Sequence, residues 1–93
     1  SMNSQFLNQK TPHEIAKSLA DRIKLQRKKL KISQENLAQK SGVSLGSIKR
    51  FETKCEISLQ SFIKIAIALD LDNDIENLFT TKTYTSINEV ISG

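Results

Sequence analysis

Cysteine, proline, glycine and aromatic residues are all scarce in this sequence. The single cysteine, Cys55, excludes an internal disulfide and fits a reducing compartment. One proline and three glycines leave room for uninterrupted helices, and four Phe, one Tyr and no Trp offer little material for an aromatic-lined ligand pocket. A chain of 93 residues supplies the core of one domain.

Long apolar runs and catalytic motifs are missing as well. No stretch approaches the about 20 apolar residues that cross a bilayer, and no charged-then-apolar leader is visible, so we expect a cytoplasmic protein without a membrane partner. The sequence shows no glycine-rich phosphate loop, no nucleophile with a histidine partner and no metal-ligand cluster, because His13 and Cys55 are isolated. We therefore expect no enzyme, no cofactor and no metal site.

Negative charge is the scarce kind in the front half of the chain. Residues 17–54 carry eleven Lys or Arg and three acids, a net charge of +8, whereas residues 55–93 carry two Lys and six acids, a net charge of −4. A basic half beside an acidic half is typical of a protein that approaches a polyanion from one side. A solvated lysine-rich surface explains the charge equally well, so the spacing of particular residues has to decide.

Apolar periodicity and capping residues predict five short helices. The first opens on Thr11-Pro12-His13-Glu14, where Thr11 caps the helix and Glu14 reaches back to the Thr11 amide. We predict helices over residues 12–29, 34–40, 45–52, 59–69 and 72–79. A compact all-α domain would then occupy residues 11–79, between a flexible N-terminal arm (1–10) and a C-terminal tail (80–93) that is extended over 80–86 and forms a turn over 87–91.

The apolar residues at helical spacing define the expected core. They are Ile15, Leu19, Ile23, Leu37, Ala38, Val43, Ile48, Phe51, Leu59, Phe62, Ile63, Ala66, Leu69, Ile75 and Leu78.

The stretch 34–51 meets the requirements of two helices that cross steeply on a short turn. Ala38 supplies a small side chain at the crossing, and Gly42 tolerates the positive φ that the turn needs. Four apolar residues hold both helices to the body: Leu37, Val43, Ile48 and Phe51. These independent requirements, met at one register, predict a helix-turn-helix unit.

At these positions the chain resembles the Cro/phage-repressor family, also called XRE-like, over about residues 15–79. The resemblance lies in Ser33-Gln34, Leu37-Ala38, Gly42-Val43-Ser44, Ile48 and Phe51-Glu52. It implies a lambda-repressor-like fold and a sequence-specific repressor of transcription that binds double-stranded DNA. One departure is Thr53-Lys54-Cys55, where the family commonly has a glycine, and this leaves the path of the loop open.

The resemblance also implies which residues contact DNA, because the third helix of this family enters the major groove. The expected base-reading residues are Leu45, Gly46, Lys49 and Arg50, with Arg50 as the reader of a guanine. The expected phosphate contacts are Gln34, Lys40, Ser44 and Ser47. Arg27 and Glu52 fall where the family often places a paired Arg and Glu, and we expect them to form a partly buried structural pair.

Binding as a two-fold dimer on a palindromic operator is the expected mode, since one such domain makes few base contacts. The expected dimer surface is helix 5 with the tail, although the tail could instead fold back on its own core. Its apolar residues are Leu69, Leu71, Ile75, Leu78, Phe79, Tyr84, Ile87, Val90 and Ile91.

Within the family, the segment 57–66 and the short chain are similar to HipB-like antitoxins, which repress their own operon and bind a HipA-like kinase toxin. A phage-type or stand-alone repressor is the nearest alternative to this reading. A protein-interaction adaptor that has lost DNA binding is an alternative of another class.

Overall fold

A computed structural model describes residues 9–80 of the chain, and five helices lie in that range. They are α1 (Pro12–Lys29), α2 (Gln34–Ser41), α3 (Leu45–Lys54), α4 (Leu59–Ala68) and α5 (Asp72–Glu76). No strand occurs between residues 9 and 80, and the all-α prediction is confirmed. The predictions for residues 1–8 and 81–93, and with them most of the arm and tail, lie outside the described residues.

Side-chain caps determine where four of the helices begin. Thr11 Oγ1 accepts a hydrogen bond from the Glu14 amide at 3.1 Å, and the Thr11 amide donates to Glu14 Oε1 at 2.8 Å, which confirms the predicted capping box. The side chains of Ser33, Ser44 and Ser58 cap α2, α3 and α4 by accepting a hydrogen bond from the amide three residues further on. Each cap satisfies a backbone donor that the helix leaves unpaired, and is worth about 1 kcal/mol.

The last helix is shorter than the sequence indicates. It begins at Asp72 as predicted but ends at Glu76 instead of continuing to Phe79. Phe79 has a left-handed backbone with φ 64°, which is incompatible with a right-handed helix.

The core lies where α1, α2, α3 and α4 meet. Phe51 on α3 and Phe62 on α4 pack edge to face with ring centroids 5.8 Å apart. The Gln26 side-chain amide donates to the Leu69 carbonyl at 3.1 Å and joins α1 to the end of α4. The buried apolar residues are Ala20, Ile23, Leu37, Val43, Ile48, Phe51, Ile65, Ala66 and Leu69. These contacts orient α3 on the body of the domain.

Four members of the expected core are exposed, and the prediction was wrong for them. Leu59 is the first residue of α4 and projects away from the body. Ile15 and Leu19 on α1 and Leu78 after α5 line an open apolar groove of about 670 Å³. All three side chains remain exposed in this groove. Two buried residues were missed in the sequence, Ala20 and Ile65.

Membrane-spanning and metal-binding features are both absent from residues 9–80. None of the helices there combines the length and the apolar character needed to span a membrane. Within the same residues no group of three His, Cys, Asp or Glu side chains is close enough to hold a metal ion.

Candidate functional site

The turn between α2 and α3 is built on Gly42. Gly42 adopts φ 75°, and its amide donates to the Ala38 carbonyl at 2.9 Å, which ends α2 in a left-handed cap. Ala38 is half-buried and packs against the core. A residue with a Cβ at position 42 would be strained by this backbone, so glycine adopts the turn at the lowest cost.

The two faces of α3 have opposite surroundings. Ile48 and Phe51 are buried in the core and fix the inner face. On the opposite side Gly46, Lys49 and Arg50 are exposed, and Leu45, which was expected to reach a base from an exposed position, is half-buried. Residues three and four apart share one face of a helix, so these side chains form a continuous outer surface. We call Leu45, Gly46, Lys49 and Arg50 the outer face of α3.

Gly46 is not required by the packing of the protein itself. A Cβ built on Gly46 would meet no atom within 4 Å, and its backbone is ordinary helix. An alanine would stabilise such a position by about 0.5–1 kcal/mol. The glycine therefore leaves a gap in the outer face that no described residue of the chain fills.

Three of the expected phosphate-binding residues, Gln34, Ser44 and Ser47, lie at the starts of α2 and α3, and the fourth, Lys40, lies near the end of α2. Ser44 Oγ accepts from the Ser47 amide at 3.1 Å and donates to Ser47 Oγ at 2.8 Å, which leaves the Ser47 hydroxyl proton available to another acceptor. Lys40 is exposed in the last turn of α2. Hydroxyls, amines and helix N-termini are the groups that bind phosphate in proteins.

A polar cluster links α1, α2 and α3. Arg27 on α1 donates through Nε to Glu52 Oε2 at 2.8 Å and through Nη2 to Glu52 Oε1 at 3.0 Å. Its Nη1 donates to the Ile32 carbonyl at 2.8 Å, and the Gln34 side-chain amide on α2 donates to Glu52 Oε1 at 2.9 Å. The Arg27 and Glu52 side chains are only 9% and 3% exposed. We call Arg27, Gln34 and Glu52 the buried knot.

Gln34 thus has a different contact from the one expected at the sequence level. Its side-chain amide is bound to Glu52, which leaves the backbone amide at the start of α2 as its group best placed to meet a phosphate.

The buried knot keeps Glu52 ionised. Burial alone raises the pKa of the Glu52 carboxyl, but the hydrogen bonds from Arg27 and Gln34 and the charges of Arg27 and Lys24 outweigh it and hold the pKa below its usual value. A charge-assisted bidentate contact of this kind fixes geometry as well as charge. The knot therefore sets the angle at which α3 stands on the domain.

A second pair involves Arg50 on the outer face. Its Nε and Nη2 both donate to Oε1 of Glu56, at 3.0 and 2.6 Å. The two side chains are 66% and 61% exposed and form part of the wall of a shallow recess of about 320 Å³. Glu56 was not among the residues singled out in the sequence, because a glutamate six positions away and beyond a helix end carries no pattern.

Cys55 explains how Glu56 reaches Arg50. It ends α3 with φ 61°, and its amide donates to the Phe51 carbonyl at 2.9 Å. This is the left-handed conformation that glycine usually supplies after a helix, so the loop turns sharply although the glycine is missing. Cys55 and Ile57 both pack against the core and anchor the backbone on either side of Glu56.

Comparison with known protein families identifies a helix-turn-helix domain in this chain. A model of the helix-turn-helix family matches residues 23–72, which is more than half of the 93 residues and extends from the middle of α1 to the first residue of α5. Searches of the curated proteins and of the solved structures return no match to this chain.

Proposed function

The chain belongs to the helix-turn-helix family of the XRE/Cro type, whose members bind DNA, and we propose that it is a sequence-specific transcriptional repressor that reads duplex DNA with the outer face of α3. The observation that carries the proposal is the opposite burial of the two faces of that helix. Ile48 and Phe51 hold it to the body, while Lys49 and Arg50 are exposed on a basic half of the chain.

Each residue of the outer face has a part in this proposal. Arg50 donates to O6 and N7 of a guanine, and Leu45 packs on a thymine methyl group. Gly46 lets the helix lie close to the edges of the bases, because its open side is free of protein atoms from the described residues. Lys49, exposed one turn after Leu45, adds a second donor for base edges.

Phosphate contacts position the helix and come from the groups around it. Lys40, the hydroxyls of Ser44 and Ser47, and the backbone amide of Gln34 serve this role in the proposal. The positive ends of the α2 and α3 dipoles add to the attraction.

Titration against duplex DNA tests the proposal. A duplex pool of random sequence should bind at low ionic strength, with a log–log salt slope of about −0.9 per phosphate neutralised. Sequence selection from the same pool should then recover a defined site. Absence of binding to any duplex at low salt would sink the proposal and favour the adaptor alternative.

We propose further that two copies bind together on a palindromic operator through the end of the domain that carries α5. The open groove between α1 and α5 supports this: Leu78 and Phe79 are 52% and 93% exposed beside Ile15 and Leu19. Leu69, which the sequence placed in the dimer surface, is fully buried and belongs to the core. Tyr84, Ile87, Val90 and Ile91 lie outside the described residues.

Sedimentation of matched variants tests the dimer. Phe79→Ser should lower the mass from two chains to one, and Leu59→Ser, which removes an exposed leucine outside the groove, should leave it unchanged. A parent protein that sediments as one chain at micromolar concentration would refute the dimer but would not contradict the proposed DNA binding.

A HipA-like kinase toxin is the partner we propose for the repressor, on the resemblance of the segment 57–66 to HipB-like antitoxins. This segment contains the exposed Leu59 at the start of α4, which the core leaves uncovered. Co-purification with the product of the neighbouring gene tests the proposal. Recovery of the repressor alone, with no kinase-like partner, would favour the stand-alone or phage-type repressor.

A further inference from the structure

The geometry around Arg50 points to a role for Glu56: we propose that it is a specificity-determining positioning residue, which holds the Arg50 guanidinium ready for a base and away from phosphates. This inference depends on the proposed function of the outer face of α3. It concerns a residue on the loop after α3, outside the set of DNA-contacting residues.

The hydrogen bonds between the two side chains leave the recognition edge of Arg50 open. Glu56 uses a single oxygen, Oε1, to accept from Nε and Nη2, which form the lateral edge of the guanidinium. The group has five N–H donors in a rigid plane. Nη1 and the outer N–H of Nη2 therefore remain directed away from Glu56, and this end-on pair is the edge that fits O6 and N7 of guanine.

The backbone on either side of Glu56 is anchored, which places the exposed carboxylate next to Arg50. Cys55 and Ile57 pack against the core, and the left-handed turn at Cys55 directs the chain back toward α3. An arginine that is already held in one orientation loses less rotamer freedom when it meets a base. The cognate sequence therefore gains affinity from the presence of Glu56.

The negative charge of Glu56 acts in the opposite direction on other sequences. Binding to random DNA depends on attraction between basic side chains and phosphates. A carboxylate 2.6 Å from Arg50 Nη2 reduces the charge that this arginine offers to a phosphate and itself repels the DNA backbone. Glu56 thus increases the difference in affinity between cognate and random sequences in two ways: it raises the affinity for the first and lowers the affinity for the second.

The experiment measures the ratio of Kd for random duplex to Kd for the selected site. Glu56→Ala should lower this ratio about tenfold, with weaker cognate binding and stronger random binding, and the loss should be concentrated at one G·C pair. Glu56→Gln keeps an oxygen that can accept from Nε and Nη2, so it should recover base preference at that pair while random binding stays raised.

Two controls separate positioning from charge. Glu35→Gln removes an exposed carboxylate from the first turn of α2, with the same change in net charge, and should strengthen binding to all sequences by one common factor. In an Arg50→Ala background, Glu56→Ala should no longer change the preference at the G·C pair, because its effect passes through the arginine.

The outcomes distinguish this inference from the proposed function. A parent that selects a site, with Glu56→Ala shifting cognate and random binding by the same factor as Glu35→Gln, would overturn the role of Glu56 and leave the repressor intact. Persistence of the base-specific effect in the Arg50→Ala background would overturn it as well. A parent that binds no duplex would overturn both.

Discussion

Arg27–Glu52 and Arg50–Glu56 lie on opposite sides of α3 and differ in surroundings more than in chemistry. In the first pair both side chains are nearly inaccessible to solvent, and both oxygens of Glu52 accept from Arg27. Glu52 Oε1 also accepts a third hydrogen bond, from the side-chain amide of Gln34. The second is about two-thirds exposed and uses one oxygen. A buried pair is costly to break because one charge is stranded without water, whereas an exposed pair is worth about 0–1 kcal/mol.

The same two residue types can thus perform separate tasks on opposite sides of α3. The buried knot fixes the position of α3 on the domain. The exposed pair contributes little to that position, and in our proposal it controls what Arg50 contacts. Four changes break or sharpen this contrast.

The largest expected effect follows from Arg27→Ala. The change strands the Glu52 carboxylate in the core and frees the Ile32 carbonyl, so the free energy of unfolding should fall by about 3–5 kcal/mol. Urea titration measures it. Arg50→Ala, the matched truncation on the exposed pair, should cost no more than about 1 kcal/mol. Equal losses in the two variants would contradict the contrast.

Acidification should weaken the buried pair by a smaller amount, because protonation of Glu52 removes its charge but leaves the groups in place. Its pKa is lower in the folded than in the unfolded chain, where the ordinary value is 4.5. Its contribution to stability is therefore complete above the unfolded pKa and is lost as the pH falls through the folded pKa.

Urea unfolding at a series of pH values below 6 checks this effect. Glu52→Gln should show a shallower acid dependence than the parent. Glu56→Gln, which leaves Glu52 in place, should keep that contribution. Identical curves for Glu52→Gln and the parent would be inconsistent with a depressed Glu52 pKa.

Arg50→Ala should change DNA recognition although it has little effect on stability. Loss of a bidentate contact costs about 1–3 kcal/mol of discrimination at one base pair. Fluorescence anisotropy on the selected site and its single-base variants measures the loss. Lys40→Ala offers the contrast, since a phosphate contact should weaken every sequence alike and reduce the salt slope by about 0.9.

Gly46→Ala should have the smallest effect, and the effect should be opposite in sign on stability and on DNA binding. The alanine should stabilise α3 by about 0.5–1 kcal/mol, because its Cβ meets no protein atom among the described residues. It should weaken DNA binding, because the methyl group lies on the outer face. A variant that is more stable and binds DNA as well as the parent would show that Gly46 does not serve close approach.

The helices were predictable because their starts carry strong local signals. Thr11, Ser33, Ser44 and Ser58 precede apolar periodic stretches, and a cap works through neighbouring residues alone. Burial was harder to predict. The α4 sequence is apolar on nearly every side, so its pattern does not single out the face that Ile65 occupies. Ile15 and Leu19 share an apolar stripe on α1, but periodicity does not say whether another element covers them.

The site also contains features that the sequence predicts and one that it does not. The exposed positions of Lys49 and Arg50 follow from their spacing relative to Ile48 and Phe51, which a helix period determines. The contact between Arg50 and Glu56 depends on the left-handed backbone at Cys55. Without a glycine at that position the sequence does not predict such a turn. The contact between Arg50 and Glu56 could therefore be found only in the three-dimensional structure.

The buried knot has a consequence for how readily the protein can acquire a new target. Glu52 on α3 accepts hydrogen bonds from α1 and α2, so the arrangement of the three helices does not depend on the exposed positions 46, 49 and 50. Substitutions at these three positions should therefore carry little penalty in folding. If α3 reads DNA as proposed, a change of target at these positions should leave the protein well folded.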